Sequence, residues 1–316
     1  MSVDVLCVGI VVVDAVGAYV DEWPREGSML LFDRVEQHIG GCPANTALGL
    51  ARLGIRTGLV AKVADDGPGA FVKETMRRHG VDIRGFVTAK DPRESTSFSF
   101  IMVPSSGDRR IYHTLGCNGT FAPADVATRL FKGPKWVAFE GLSLMPRLFG
   151  RNLAKLLKAA RKAGARTAGD TALNSKLADW GPVFEGCWEH FDVFFPSEEE
   201  AHRITGPRKP REVCRWFRER GVKIAGVKLG AKGCALETDD GYVELPAYKV
   251  KCVDTLGAGD AFMAGFLAGM LKGLHPVEAA RLGNATSAHC VQALGATTGI
   301  PRLEKVRRFM KSARTR

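Results

Sequence analysis

Asp254-Thr-Leu-Gly-Ala-Gly-Asp260 is the stretch of this 316-residue chain whose residue types point most directly to chemistry. Gly257, Ala258 and Gly259 are small residues that open a helical pattern over Ala258–Leu271, after a strand-like Tyr248–Val253. Small side chains leave backbone N–H groups free to face a ligand, and a helix N-terminus favours negative charge. The stretch therefore predicts an anion hole for a phosphate. Asp260 in the first turn is the odd member, because a carboxylate there repels phosphate unless it has a task. Accepting the proton of an attacking hydroxyl is one such task. Capping the helix is the other, as acidic residues often do. The residues alone leave both open.

The elements that must position this stretch alternate along the chain. Val3–Val13 is apolar and β-branched and reads as a strand buried on both faces. Pro43–Leu53 is a helical pattern closed by Gly54, and Gly67–His79 is another closed by Gly80, with a strand at Thr57–Val63 between them. Trp136–Phe139, Ala165–Gly169, Val193–Phe195 and Ile224–Leu229 are further short apolar strands. Helical stretches at 148–163, 197–205 and 210–220 separate them, and a helix at Pro276–Ala293 follows the one at Ala258. This alternation argues for an α/β fold with a parallel sheet covered by helices on both faces. Ala15–His38 and Ser95–Gly116 break the rhythm. They are expected to be hairpin-like insertions in a single domain spanning 1–316, forming a small antiparallel sheet that serves as a lid.

Composition excludes several classes. With 45% hydrophobic and 25% charged residues, 36 Gly and 15 Pro, the chain is not disordered, collagen-like or coiled coil. No apolar run reaches the roughly 18 residues of a membrane span, and Val3–Val13 lacks a basic flank, so neither membrane nor signal peptide is expected. The eight cysteines never come within 18 residues of one another, which predicts free thiols in a reducing cytoplasm. The net charge of +11 is concentrated, with seven basic residues and one acid in a C-terminal tail over Pro301–Arg316. Arg147, Arg151, Lys155, Lys158 and Lys162 mark one stripe of a helix, which reads as a solvated face. Neither block interleaves aromatics as a single-strand platform does, so nucleic acid is not the expected partner. Attraction of an anionic substrate stays open.

Two motifs carry a resemblance. Asp254-Thr-Leu-Gly-Ala-Gly-Asp260 resembles the C-terminal signature of the ribokinase family of carbohydrate kinases, the phosphofructokinase-B group. Gly40-Gly-Cys-Pro-Ala-Asn-Thr-Ala47 resembles its N-terminal Gly-Gly-x-x-x-Asn signature, and the likeness covers 1–303. It implies a ribokinase-like three-layer α/β/α fold with a central, mostly parallel sheet and a small β-sheet lid. It implies Asp260 as catalytic base, with Gly257, Ala258 and Gly259 as the anion hole. On the sugar side it implies that Asp14, ending the first strand, accepts hydroxyl hydrogen bonds. Gly40 and Gly41 would let the backbone approach the sugar, and Asn45 would bond it. Glu140, ending the Trp136–Phe139 strand, fits a similar role, although a strand-end carboxylate could equally cap the next helix. Buried polar groups matched to hydroxyls discriminate strongly, because an analogue lacking the hydroxyl leaves them unpaired. Asp170 also ends a strand, but the family's Asp-x-Asn-x-Arg is not kept, since Ala172 and Asn174 replace its last two members.

Val227-Lys-Leu-Gly-Ala-Lys-Gly233 is similar to the family's strand and turn near the ATP phosphates and ribose, which singles out Lys228, Gly230 and Gly233. Asn284 matches an asparagine near the adenine. The family's Asn-x-x-Glu corresponds to Ser197-Glu-Glu-Glu200, so Glu200 would organise Mg²⁺ through waters while Ser197 tunes its affinity. The same residues spell a capping box, and both readings can hold at once. Val291–Pro301, with Asp254 and Gly295, resembles a segment that encloses a monovalent cation, K⁺, in several relatives.

The implied reaction is transfer of the γ-phosphoryl group of ATP to a primary hydroxyl of a free sugar, ribose- or fructose-like. Cys42 stands after the paired glycines, where relatives acting on sugar phosphates and ribokinases usually carry lysine, and the motif looks closer to fructokinase-like members. Arg109 and Arg110 keep 2-keto-3-deoxygluconate and sugar phosphates open. Tyr19, Trp23, Phe32, Phe98, Phe100 and Tyr112 keep a nucleoside open, because a base needs rings to stack on. A non-catalytic sugar- or nucleic-acid-binding relative is the alternative of another class. The basic tail and Ser197 argue for it, and the intact Gly257-Ala-Gly-Asp260 argues against it. A homodimer through the lid is also expected.

Overall fold

Val3–Val13 does not form the one buried strand its composition predicts. In the computed structural model, which describes residues 3–18, 20–105 and 110–315, the run splits into β1 (Val5–Gly9) and β2 (Val12–Ala18). Gly9 is the break: its φ of 145° suits only glycine, and a Cβ there would collide with the Glu140 carbonyl. β3 (Arg34–Gly40) returns to α1 (Cys42–Arg52), followed by β4 (Thr57–Val60), β5 (Lys62–Val63), α2 (Gly67–Arg78) and β6 (Val87–Thr88). β7 (Phe98–Val103) and β8 (Arg110–Thr114) lead through a short α3 (Cys117–Thr120) to β9 (Trp136–Glu140). Next come α4 (Arg151–Lys162), β10 (Arg166–Gly169), α5 (Gly181–Phe184), β11 (Val193–Phe194), α6 (Glu198–Thr205), α7 (Pro210–Arg218) and β12 (Ile224–Lys228). The hairpin β13 (Cys234–Thr238) and β14 (Gly241–Leu245) precedes α8 (Ala258–Leu271), α9 (Pro276–Cys290) and α10 (Leu303–Ser312).

The main sheet has the order β14-β13-β12-β11-β10-β9-β1-β4. Its strands from β12 to β4 are parallel, and only the β13/β14 hairpin at the edge runs antiparallel. Side chains alternate between two cores, as a sheet covered on both faces requires. Val5 and Cys7 of β1 join residues of α1, α8 and α9, whereas Leu6 and Val8 join those of α4 and α7. On α4 the apolar Leu153, Leu156 and Leu157 are buried and Arg151, Lys155, Lys158 and Lys162 face water as predicted, whereas Arg147 lies outside the helix, in the short turn Pro146–Leu148 before it.

Parallel strands finish at one edge. That edge collects Glu140 at the end of β9, Asp170 after β10, Ser197 and Glu200 after β11, and Lys228 at the end of β12. α8 is apolar all round and buried between α1 and α9, where glycines set the spacing. A Cβ on Gly49 would sit 2.9 Å from Ala264, and one on Gly269 the same distance from Ala279. Such close packing fixes where α8 begins.

The lid is one four-stranded sheet, β3-β2-β7-β8. It is mixed rather than antiparallel, because β2 and β7 are each the outgoing strand of a hairpin and meet side by side in parallel. It also starts at Val12 rather than Ala15. The C-terminus adds a helix, and one further expectation changes. The basic tail is mostly a helix: Leu303 and Val306 of α10 are buried while Arg307, Arg308 and Lys311 face outward. Tyr248–Val253 is not a strand. Tyr248 makes a single bridge to Thr315, and its ring packs 5.1 Å from Phe309.

Candidate active site

Asp260 lies in the first turn of α8, behind Gly257, whose left-handed φ of 72° turns the chain into the helix. A Cβ at Gly257 would collide with Ala296, so the Val291–Pro301 loop closes against the helix start. Asn45, on α1, donates from Nδ2 to Asp260 Oδ2 at 2.8 Å. Asn45 Oδ1 is buried without a partner among the described residues. The two signature motifs, distant in sequence, thus meet at one carboxylate. Burial raises the Asp260 pKa, opposed by the Asn45 bond, the Lys228 charge and the Cys42 thiol. A partly exposed carboxylate with a raised pKa, beside a helix N-terminus, is placed to exchange a proton with a hydroxyl.

The strand-end carboxylates surround it. Lys228 Nζ donates to Asp170 Oδ2 in a pair whose side chains are 13% and 1% exposed. Burial raises the Asp170 pKa against the pull of Lys228. Burial works to lower that of Lys228, but Asp170 and Glu200 more than offset it and hold the ammonium charged. Glu140 has no exposed surface at all. Neither of its oxygens has an aligned hydrogen-bond partner, the Thr46 hydroxyl giving only partial relief, and burial with Asp170 nearby pushes its pKa well up. Its carboxylate is covered by protein on every side. Cys42, at the start of α1, sits among these acids, and burial first and Asp260 second raise its thiol pKa.

Asp14 is not at the end of a main-sheet strand. It sits inside β2, in the lid, where a Cβ on Gly40 would collide with its carboxylate. Its rung crosses the sheet as His38, Asp14, Ser99 and His113, all on one face by register, with Ser99 Oγ 3.1 Å from His113 Nδ1. Burial raises the Asp14 pKa while the Ser99 hydroxyl and His38 draw it back. Gly41 caps α1 and lies against backbone, since a Cβ there would be 2.7 Å from the Ile10 carbonyl. Phe98, Phe100, Arg110 and Tyr112 fall on alternate rungs and so on the opposite face of the lid from Asp14. Arg110 there covers Trp23 at 5.0 Å, so neither a nucleoside base nor a substrate phosphate gains support from them. Tyr19 and Arg109 lie outside the described residues.

On the other side of the α8 N-terminus a cavity of about 330 Å³ is lined by Lys228, Gly230, Gly233, Asn284, Ala258 and Gly259. All four residues expected at the nucleotide therefore share one pocket with the expected anion hole. Asn284 spends its Nδ2 on the Leu245 and Pro246 carbonyls, bracing the wall. Tyr248, Val250, Phe262 and Val291 complete that wall and were not anticipated.

The family profile described as pfkB family carbohydrate kinase matches residues 3–303. This chain belongs to that family. The carbohydrate kinase is 28% identical over 288 residues to a 2-dehydro-3-deoxygluconokinase of Bacillus subtilis, covering 88% of each chain. It is 32% identical over 257 residues to a sugar kinase of Archaeoglobus fulgidus, covering 81% of this chain and 99% of the other. An Arabidopsis thaliana ribokinase, solved with ribose and ATP, superposes with a TM-score of 0.81 at 25% identity over 98% of this chain and 99% of that one. The ribokinase-like fold and the ATP-dependent phosphotransferase class are thereby shown.

For Mg²⁺ the donor chemistry of this kinase fits. Glu200 completes the predicted capping box, with Ser197 N–H donating to Oε2 at 2.8 Å, and its carboxylate is a hard oxygen donor of the kind Mg²⁺ selects. Among the described residues no cluster of three or more His, Cys, Asp or Glu is arranged to hold a metal, so an ion there would keep its waters. Asp254 and Gly295 are also brought together, but as a latch: Gly295 N–H donates to Asp254 Oδ2 at 2.9 Å, and Leu256 N–H to Oδ1 at 3.0 Å. No described helix is long and apolar enough to cross a membrane.

Proposed function

We propose that this kinase transfers the γ-phosphoryl group of ATP to a primary hydroxyl of a free, neutral sugar, with Asp260 as general base. The observation that carries the reading is the position of Asp260, between the nucleotide cavity and the Asn45 side of α1. A hydroxyl placed there loses its proton to the carboxylate while its oxygen attacks phosphorus in line, and ADP leaves. The N–H groups opening α8 at Gly257, Ala258 and Gly259 would face the charge that spreads over the equatorial oxygens, the Ala258 N–H once it leaves the Thr255 carbonyl that it bonds at 3.3 Å. Glu200 would hold Mg²⁺ through waters, and the ion when bound neutralises the nucleotide phosphates. The lid carries Asp14 and its rung over the acceptor and excludes water as a competing nucleophile. Asp14, Asn45 Oδ1 and the two glycines at 40 and 41 would take the hydroxyls.

Acids dominate the sugar side: Asp14, Glu140, Asp170 and Asp260, with the described Lys228 already paired. That balance favours a polyol over an anionic acceptor. The name of the Bacillus relative supports a second reading, 2-keto-3-deoxygluconate, whose carboxylate would need a cation on this side. The exposed apolar face of the lid, with Val35, Phe100 and Tyr112, supports a homodimer, and the eight free cysteines support a cytoplasmic setting. A potassium ion beside Asp254 and Gly295 belongs to the same reading as an activator.

The test is ADP release with Mg·ATP across free sugars, sugar acids, sugar phosphates and nucleosides, with Asp260→Asn in parallel. The reading expects a neutral sugar as best acceptor and a loss of roughly 10²–10⁴-fold in kcat for the variant. A sugar acid as best acceptor would install the second reading. Activity within about tenfold in Asp260→Asn removes Asp260 as the base.

A further inference from the structure

We propose that Lys228, held by Asp170, is the cation that neutralises the phosphoryl group during transfer; this rests on the kinase reading above. Lys228 is the last residue of β12, and its ammonium does not stay at the turn where its neighbours Gly230 and Gly233 line the cavity. It reaches across the sheet edge to Asp170, which leaves it seated on the first turn of α8. A Cβ built on Gly259 would stand 3.1 Å from Lys228 Nζ and 3.7 Å from Cε, so any side chain at 259 would push the ammonium away. The charge therefore lies beside the anion hole, one residue before Asp260, where the nucleotide cavity meets the proton acceptor.

Electrostatics requires a cation at this point. Asp260, Asp170, Glu200 and Glu140 crowd one strand edge, and a polyphosphate must approach the first of them. The loop that follows Asp170, residues 171–180, has one cation, Lys176, and that side chain is exposed to water rather than turned to the strand edge. Lys228, 58 residues away in sequence, supplies the charge instead. A buried ion pair contributes little net stability over an apolar pair of the same volume, so retention of this one at the reacting edge points to chemistry. In the step itself the bond between the γ-phosphorus and the β–γ bridging oxygen of ATP breaks and the sugar oxygen–phosphorus bond forms. The hydroxyl proton passes to Asp260. Lys228 keeps its protons throughout; it attracts the transferred oxygens and offsets their repulsion by Asp260. Asp170 is the positioning residue.

The experiment uses the full-length enzyme with Mg·ATP and whichever of ribose, fructose and 2-keto-3-deoxygluconate it phosphorylates fastest. It pairs kcat from ADP release with the ATP dissociation constant from calorimetry without sugar. Lys228→Met is expected to lose about 10²-fold or more in kcat while ATP affinity stays within about threefold. Ethylamine or butylamine added to Lys228→Ala is expected to restore about tenfold of that loss, which a bracing role alone would not allow. Because Lys228→Met strands a buried carboxylate, the double variant Lys228→Met/Asp170→Asn removes both charges and keeps the fold test clean. It is expected to stay as slow as Lys228→Met. A double variant within about threefold of wild type, or a loss of ATP affinity matching the loss of kcat with no amine rescue, overturns the proposal. Silence of the wild-type enzyme with all three acceptors sinks the sugar-kinase reading itself, an outcome the variants cannot produce.

Discussion

The proposed nucleotide cavity and the proposed sugar side meet at the first turn of α8, and they are built from opposite materials. The cavity wall is mostly glycine turns and apolar surface, with Lys228 the one charged residue lining it among the described residues. The proposed sugar side is polar: Asp14, Asn45, Glu140 and Asp170 are buried and Asp260 is partly exposed. Apolar walls bind a flat ring by burial, which is tolerant, because the gain scales with area and each residue adds its share. Buried polar groups are intolerant. An unpaired donor or acceptor carries its full desolvation cost, and Asn45 Oδ1 is unpaired among the described residues. A hydroxyl-bearing acceptor that pairs with it relieves this cost, whereas one lacking a hydroxyl leaves it in place. One half of the site is therefore expected to set affinity by degrees and the other to set specificity in steps.

The largest break in that comparison should come from the smallest side chain. Gly40→Ala places a methyl group into the Asp14 carboxylate and must displace it. Displacement of a substrate-orienting group by about 1 Å can cost up to about 10²-fold. The expected result is a fall of roughly 10–10²-fold in kcat/KM for the sugar with ATP affinity unchanged, measured by steady-state kinetics and calorimetry. If ATP affinity falls equally, the two halves are not independent. An unaltered kcat/KM for the sugar would show that Asp14 does not orient it.

How far the site could be read in the sequence follows the same division. Ala258, Gly259, Gly230 and Gly233, which the resemblance singled out, do line one cavity, because a backbone-lined pocket leaves small residues in sequence at fixed spacing. α8 was legible to the residue as a continuous apolar run opened by small residues. The Val3–Val13 run looked like one strand because two strands buried in different sheets carry the same β-branched composition. Only the position of Gly9 against Glu140 separates them. Lys228 with Asp170, and the rung from His38 to His113, pair residues from different strands, and no local pattern announces such pairs. The β13/β14 hairpin did leave a signal, Asp239-Asp240-Gly241, a turn that periodicity alone passes over.

A smaller effect tests the tolerant half. Phe309 of α10 packs 5.1 Å from Tyr248 and 4.7 Å from His289, so the C-terminal helix backs the cavity wall. Aromatic pairs are worth about 0.5–1.5 kcal/mol each. Phe309→Ala is accordingly expected to raise KM for ATP by roughly three- to tenfold and leave KM for the sugar unchanged. Loss of sugar affinity instead would mean that α10 braces the whole molecule and not the nucleotide half.

The finest discrimination uses protons. Asp260 acts as a base only when ionised, and burial raises its pKa in this site, so kcat/KM should fall as pH drops through a limb above the ordinary carboxylate range. The Asn45 hydrogen bond favours the charged form and draws that limb down. Asn45→Ala removes the bond, so the acid limb of the variant should lie at higher pH than that of wild type, on top of any uniform loss from weaker sugar binding. The pH dependence of kcat/KM reports the free enzyme, in which this bond is formed, and is therefore the profile to compare. A limb that stays in place while the plateau falls would make Asn45 a sugar ligand alone. A limb that moves would show that the N-terminal motif also sets the basicity of the C-terminal one, and that the two halves of the site share a single carboxylate.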